Sequence, residues 1–212
     1  MFNRFLAALS AAWSSVAAFF GSRKPNPPVV ELTDWDRRLM AYHEAGHAVC
    51  SRFFPEQEPL LLITIDPSSE AFGMIRTSPR PHHNGTRTSL SGTIAVLLAG
   101  RLAEEMFLNV ATTSCIHDLA SAQRLASDMV QKFGMGETLG LSAPGGEQPD
   151  PLEIADIRKL LLNAEREARG LLAAHAAAVK FLAEELLREK TIRGDRIAEV
   201  FAVAEEQGEK SR

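Results

Sequence analysis

Residues 41–50 read AYHEAGHAVC, and three of them could do chemistry together. His43 and His47 are four apart, so on a helix their imidazoles lie one above the other on the same face. Glu44 follows the first histidine directly. Two imidazoles aimed at one point suit a zinc ion, and a carboxylate beside them can take the proton of a water that attacks a carbonyl. A shuffled chain of this composition would show His-Glu-x-x-His on the order of 0.015 times. The competing account is an ordinary helix whose polar side chains hydrogen-bond within the core.

The helical projection sharpens the choice. With His43 at zero, Leu39, His47, Cys50 and Phe54 lie within about 40° of it and Met40 within about 60°. Both histidines therefore sit in an apolar stripe, with Glu44 at its edge. Burying three titratable groups unpaired costs several kcal/mol, and a bound zinc ion removes that cost. The third ligand is not named by the motif. A metzincin continuation is excluded, because Cys50 and Phe53 stand where its glycine and third histidine belong. Acidic candidates downstream are Glu104, Glu105 and Asp118, the last beside His117, and spacing alone does not choose among them.

The elements that must position these residues are legible from caps and periodicity. Thr33 and Asp36 have capping-box spacing, and the helix they open runs to a stop at Pro55. LLLITID and AFGMIRT read as two short strands, followed by the polar loop SPRPHHNGTRT. Helical periodicity returns in SLSGTIAVLLAGRLAEEMFL and in DLASAQRLASDMVQKFG, which ends on Gly134. Asp150, Pro151 and Glu153 announce two long helices, with a shorter one from about Asp195. The expected class is mainly α within α+β: a helical bundle carrying a small β-sheet.

Composition sets outer bounds. With 212 residues, 45% of them hydrophobic, the chain has room for one sizeable domain. A net charge of -4 without long basic runs excludes a nucleic-acid partner. Cys50 and Cys115 are too few for a disulfide framework and read as buried structural thiols.

The N-terminal segment differs from the rest. Phe2, Phe5, Leu6, Leu9, Trp13, Val16 and Phe20 share one side of a helix over residues 1–22. Its uncharged stretch spans roughly 24 Å, against about 30 Å of hydrocarbon. A minimal membrane span, a helix lying in the interface and a cleaved signal peptide all fit, so membrane association through residues 2–20 stands beside a secreted or soluble fate. For a span, Arg23, Lys24, Arg37 and Arg38 place the following domain in the cytoplasm. The proline-rich residues 23–31 form a linker, and the domain occupies 32–207.

Beyond these readings, AYHEAGHAV is similar to the zinc signature of FtsH-type membrane-anchored metalloproteases. IAVLLAGRLAEEM resembles that family's Gly-Arg-x-Ala-Glu-Glu helix, and TTSCIHDLASAQRLASDMVQKFGMGETLG its next segment, ending in Gly-Met-x-x-x-Leu-Gly. AEELLREKTIRGDRIAEV is similar to its terminal helices, so the resemblance covers about residues 38–203 in the family's order. It implies a zincin-like peptidase fold, with His43, His47 and Asp118 holding Zn2+ and Glu44 as the base. Glu104 is implied as a residue that orients a ligand, and Phe72, Gly73 and Met74 as a strand against which polypeptide substrate is laid. His117, where the family often has asparagine, is read as a bystander or a competing ligand, and Ile75 replaces a usual threonine. His82 and His83 belong to the polar loop, and His175 to the start of a helix.

FtsH-type enzymes resemble a fusion of this domain to an ATPase, yet these 212 residues contain no G-x-x-x-x-G-K-[ST] loop. The expectation is an endopeptidase that needs no ATP of its own and takes unfolded, flexible or short chains, or one that works with an ATPase partner. The family packs as a ring of six, so a homo-hexamer is a further expectation. The alternatives are a catalytically silent scaffold and a regulatory subunit of an FtsH-type ring.

Overall fold

The Thr33 hydroxyl accepts the Asp36 amide N–H, and the Asp36 carboxylate accepts the Thr33 amide in return, so the first helix opens on the reciprocal cap that its sequence predicts. The computed structural model describes residues 32–66, 73–79, 84–141 and 150–210. In chain order these form α1 (Asp34–Phe53), β1 (Leu60–Thr64), β2 (Met74–Thr77) and α2 (Arg87–Ala103). There follow a π-helical turn (Glu104–Leu108), α3 (Ile116–Gln131), α4 (Pro151–Ala174), α5 (Ala176–Glu189), β3 (Thr191–Arg193) and α6 (Asp195–Lys210). The N-terminal helix, the linker and His82 and His83 lie outside the described residues. No helix among the described residues is long and apolar enough to cross a membrane.

The helix α1 forms the centre. Every residue from Ala41 to Ser51 is buried, so the sided stripe of the projection becomes a helix covered all round. It packs on α2 and α5, while α2 packs in turn on α3 and α4. Ala41, Ala45 and Ala48 on α1 meet an α2 rich in Ala95, Ala99 and Ala103. At the closest point a Cβ on Gly46 would stand 2.5 Å from the Ala99 carbonyl oxygen and 2.6 Å from the Ala103 Cβ. The two helices therefore touch nearly backbone to backbone, which brings α2 main-chain atoms within reach of the α1 histidines.

The sheet is antiparallel in the order β2-β1-β3, with Ile63 of β1 opposite Ile75 of β2 and Ile192 of β3. The third strand corrects the sequence reading, which ran TIRG into the terminal helices. Three residues are too few to show a period, and burial of Ile192 between helices decides the matter. The strand β2 lies at an edge, and beyond it no further strand occurs among the described residues.

Gly134, with φ 61°, and Gly140, with φ 58°, bracket the Gly-Met-x-x-x-Leu-Gly segment after α3. What pins this segment is the buried Asp156 of α4. Its carboxylate accepts the Thr138 hydroxyl at 2.7 Å and the amides of Thr138 and Leu139 at 2.9 and 3.2 Å. Burial by itself would raise the Asp156 pKa, but these donors outweigh it and hold the carboxyl below its ordinary value of 3.8.

Asp156→Asn is expected to cost about 1–3 kcal/mol of stability at pH 7, because the amides lose a charged acceptor. A depressed folded pKa contributes stability that is present above about pH 4 and lost as pH falls through the folded value. Urea unfolding at pH 7 and at pH 2.5 checks this, with the gap between parent and variant expected to close in acid.

Candidate metal centre

A histidine ring nitrogen facing a carbonyl oxygen must be the donor, because the oxygen has no proton to give. His47 Nδ1 lies 2.7 Å from the Val96 carbonyl oxygen of α2, so its proton is on Nδ1 and its Nε2 is left with a lone pair. His43 Nδ1 lies 2.6 Å from Glu104 Oε1 and makes the same commitment to a carboxylate. The two Nε2 atoms then face each other at 3.0 Å, with Asp118 Oδ2 at 3.2 Å from one and 3.4 Å from the other. Three acceptors at these separations repel unless positive charge stands among them.

A cation meets that demand, and the separations suit zinc. Tetrahedral ligands at roughly 2.0–2.1 Å from a zinc ion lie about 3.3 Å from one another, close to the three distances here. His43, His47 and Asp118 are the only group of three metal-competent donors among the described residues. Space for an ion is kept by Gly100 of α2. A Cβ there would stand 2.5 Å from His47 Nε2 and 2.6 Å from His43 Nε2. Two nitrogen donors and one carboxylate form the kind of set that leaves a fourth position open for substrate or water.

A proton on these donors can meet the same demand for positive charge. Burial alone would lower the His43 pKa, but hydrogen bonding to Asp118 and Glu104 and the Glu44 charge outweigh it and hold it at about 9. Asp118 shows the reciprocal: burial would raise its carboxyl, and the two imidazoles pull it far below the ordinary range. Asp118 sits in the first turn of α3, where Cys115 occupies the cap position, so its carboxylate serves the histidines and not the helix start.

Glu104 shows no solvent exposure and opens the π-helical turn that ends α2. Besides His43 its carboxylate takes the Thr112 hydroxyl at 2.8 Å and the Ser114 hydroxyl at 2.5 Å. Burial would raise its pKa, and these donors bring it below the ordinary value. An ionised Glu104 fixes both the ring plane and the tautomer of His43. Thr112, Ser114 and the Val96 carbonyl were not legible as parts of the site. Hydroxyls in a TTS run, a main-chain oxygen and a lone glycine in a helical pattern carry no motif that points to the site.

Glu44 is the buried acid left over. Its Oε2 has no hydrogen-bond partner among the described residues, and burial, opposed by His47 and His43, raises its pKa. It opens with the metal donors onto a cleft of about 650 Å³. Leu39 and Met40 of α1, Val96 and Leu97 of α2, and Gly73, Met74 and Ile75 at β2 line this cleft. Phe72 lies outside the described residues. His117 also lines the cleft but stands apart from the three clustered donors. Neither thiol belongs to the site: burial pushes Cys50 up to about 12, and Cys115 is shifted upward for the same reason. His175 joins α4 to α5, its ring stacked on Phe53 at 3.6 Å.

Comparison with known proteins adds an independent line. The sequence profile of peptidase family M41 matches residues 30–153. The chain is 32% identical over 197 residues to an ATP-dependent zinc metalloprotease FtsH of Thermobaculum terrenum, covering 84% of this chain and 30% of that protein. It is 34% identical over 189 residues to FtsH 4 of Sphaerobacter thermophilus, covering 80% and 29% respectively. With the chloroplastic FTSH 1 of Arabidopsis thaliana the identity is 30% over 206 residues, with 85% and 28% covered. The chain thus spans under a third of the length of these curated relatives.

Gly100→Ala is expected to abolish zinc binding while the helical circular dichroism persists, since alanine favours the helix but its methyl takes the ion's space. Glu104→Gln is expected to weaken zinc affinity 10- to 100-fold. Competition against a chromophoric chelator measures both.

Proposed function

The chain belongs to peptidase family M41, and from that premise we propose that it is a zinc-dependent endopeptidase cutting unfolded or flexible polypeptides, with His43, His47 and Asp118 as metal ligands and Glu44 as the base. The observation that carries this reading is the convergence of two imidazole Nε2 atoms and one carboxylate beside a buried glutamate oxygen that nothing else engages. A scaffold has no use for such an oxygen, because a buried acceptor without a partner costs stability.

Zinc, when bound, supplies a Lewis acid that polarises a carbonyl and acidifies water. The residues of the chain do the rest. Glu44 takes the proton of the attacking water on its carboxylate and passes it to the nitrogen of the leaving amine. Burial suits it to this, since a raised pKa makes the carboxylate a stronger base and its acid form a usable donor nearer neutral pH. Glu104 and Val96 keep both histidines in the tautomer that presents Nε2 to the metal. Leu39, Met40, Val96 and Leu97 thin the water in the cleft, which strengthens each charge interaction inside it.

Substrate is proposed to enter as an added strand on the free edge of β2, alongside Phe72, Gly73 and Met74. That mode reads main chain, so it selects extended polypeptide over folded protein. The chemistry itself consumes no nucleotide, and an ATPase that unfolds substrates would act ahead of it as a separate partner. Assembly as a homo-hexamer and attachment to a membrane through residues 2–20, with this domain on the cytoplasmic side, complete the proposal, resting on the family resemblance and on the apolar face of that segment.

Zinc-loaded protein is expected to cleave an unfolded casein without ATP. Glu44→Gln should bind zinc with equal stoichiometry and lose at least about 100-fold in kcat. Absence of cleavage by folded, zinc-loaded parent would reject the peptidase reading in favour of a scaffold or regulatory subunit.

A further inference from the structure

Gly73 is the first described residue before β2, and its φ lies outside the left-handed region, so its backbone conformation is open to any residue. Space is what it lacks. A Cβ built there would stand 2.6 Å from Glu44 Oε1, 3.0 Å from Glu44 Cγ and 3.1 Å from Glu44 Cδ. All three nearest atoms belong to one side chain, that of the proposed base.

The room Glu44 has to yield lies toward the cleft it lines, away from its present place. The residue is 6% exposed, on a helix buried all round, and its Oε2 is sealed from solvent without a hydrogen bond. No polar contact among the described residues therefore fixes that oxygen, so the walls of its compartment set where it points. One wall is the α1 backbone that carries it. The opposite wall, at Oε1, is the bare Cα of Gly73.

We infer that Gly73 is a positioning residue, whose missing side chain sets the place of the Glu44 carboxylate so that strand β2 holds the base as well as the substrate edge. This rests on the peptidase reading for its catalytic part, while its steric part stands on geometry alone. Because one short segment bounds the base and carries the substrate edge, a chain laid along β2 is registered against the carboxylate by a single piece of backbone. A methyl at position 73 must either rotate Glu44 away or lift the start of β2, and both separate the base from the reacting carbonyl. Misplacement by about 1 Å at a reacting centre costs on the order of 100-fold in rate.

The test is Gly73→Ala, made in the parent and in a Glu44→Ala background. In the parent background the expected result is a kcat lowered ten- to hundredfold, KM within about twofold and zinc stoichiometry unchanged. The thermal midpoint should fall in the parent background and hold in the Glu44→Ala background, where the opposing atoms are gone. Should the single variant fail to fold, recovery of folding in the double variant supports the inference and failure of both overturns it. An unchanged kcat, a loss of zinc or an equal fall in midpoint in both backgrounds also overturns it. If the parent itself cleaves nothing, the peptidase reading fails, and the paired thermal midpoints still decide whether Gly73 confines Glu44.

Discussion

His43, Glu44 and His47 occupy little more than one turn of a helix that has no solvent-facing side between Ala41 and Ser51. Removing such groups from water without partners costs several kcal/mol. The surrounding structure answers that cost atom by atom. Val96 and Glu104 take the two Nδ1 protons, which leaves two Nε2 lone pairs and the Asp118 carboxylate turned toward one another. Satisfying one half of each ring creates the demand for a cation at the other half. Among the described residues, the one buried acid with an oxygen that receives no protein partner is the one to which the chemistry is assigned.

This arrangement depends on how closely α1 and α2 approach. Alanines along both helices, with Gly46 at the tightest point, let a main-chain carbonyl of α2 reach an imidazole of α1. The same proximity requires Gly100 to be bare, since a methyl there would fill the space between the rings. At its end α2 widens into a π-helical turn, and the chain then loops back so that Thr112 and Ser114 hold Glu104 beneath His43 before Asp118 arrives on the first turn of α3. Asp118 and the groups that orient the two histidines thus come from a single run of chain, residues 96–118, folded against the helix that carries His43 and His47.

Not every motif of the family serves the chemistry. The Gly-Met-x-x-x-Leu-Gly segment is fastened to α4 through Asp156 and sets how α3 gives way to the following loop. Its two glycines answer a backbone requirement, and its threonine answers a buried carboxylate. At the C-terminal end Glu185, itself buried, receives Arg188 and Arg196, which ties α5 to α6. Apolar side chains of α1, α2 and β2 share the lining of the cleft with the polar centre of the site.

The sequence by itself determined the local events. Caps at Thr33 and Asp150 start α1 and α4 where their side chains predict, because a cap is a contact between residues three apart and needs nothing beyond the local chain. The i, i+4 histidine pair with its glutamate was legible for the same reason, since helix geometry alone brings them to one face. Asp118 became visible only through resemblance to a family; spacing left it level with Glu104 and Glu105. Tertiary structure decided between them by placing Asp118 at Nε2 and Glu104 at Nδ1 of the same ring. It also decided the third strand, the hydroxyls under Glu104 and the uses of Gly73 and Gly100. Those depend on which surfaces meet across separations of 8 to 129 residues of chain, and residue type at one position does not encode the distance to an atom elsewhere along it.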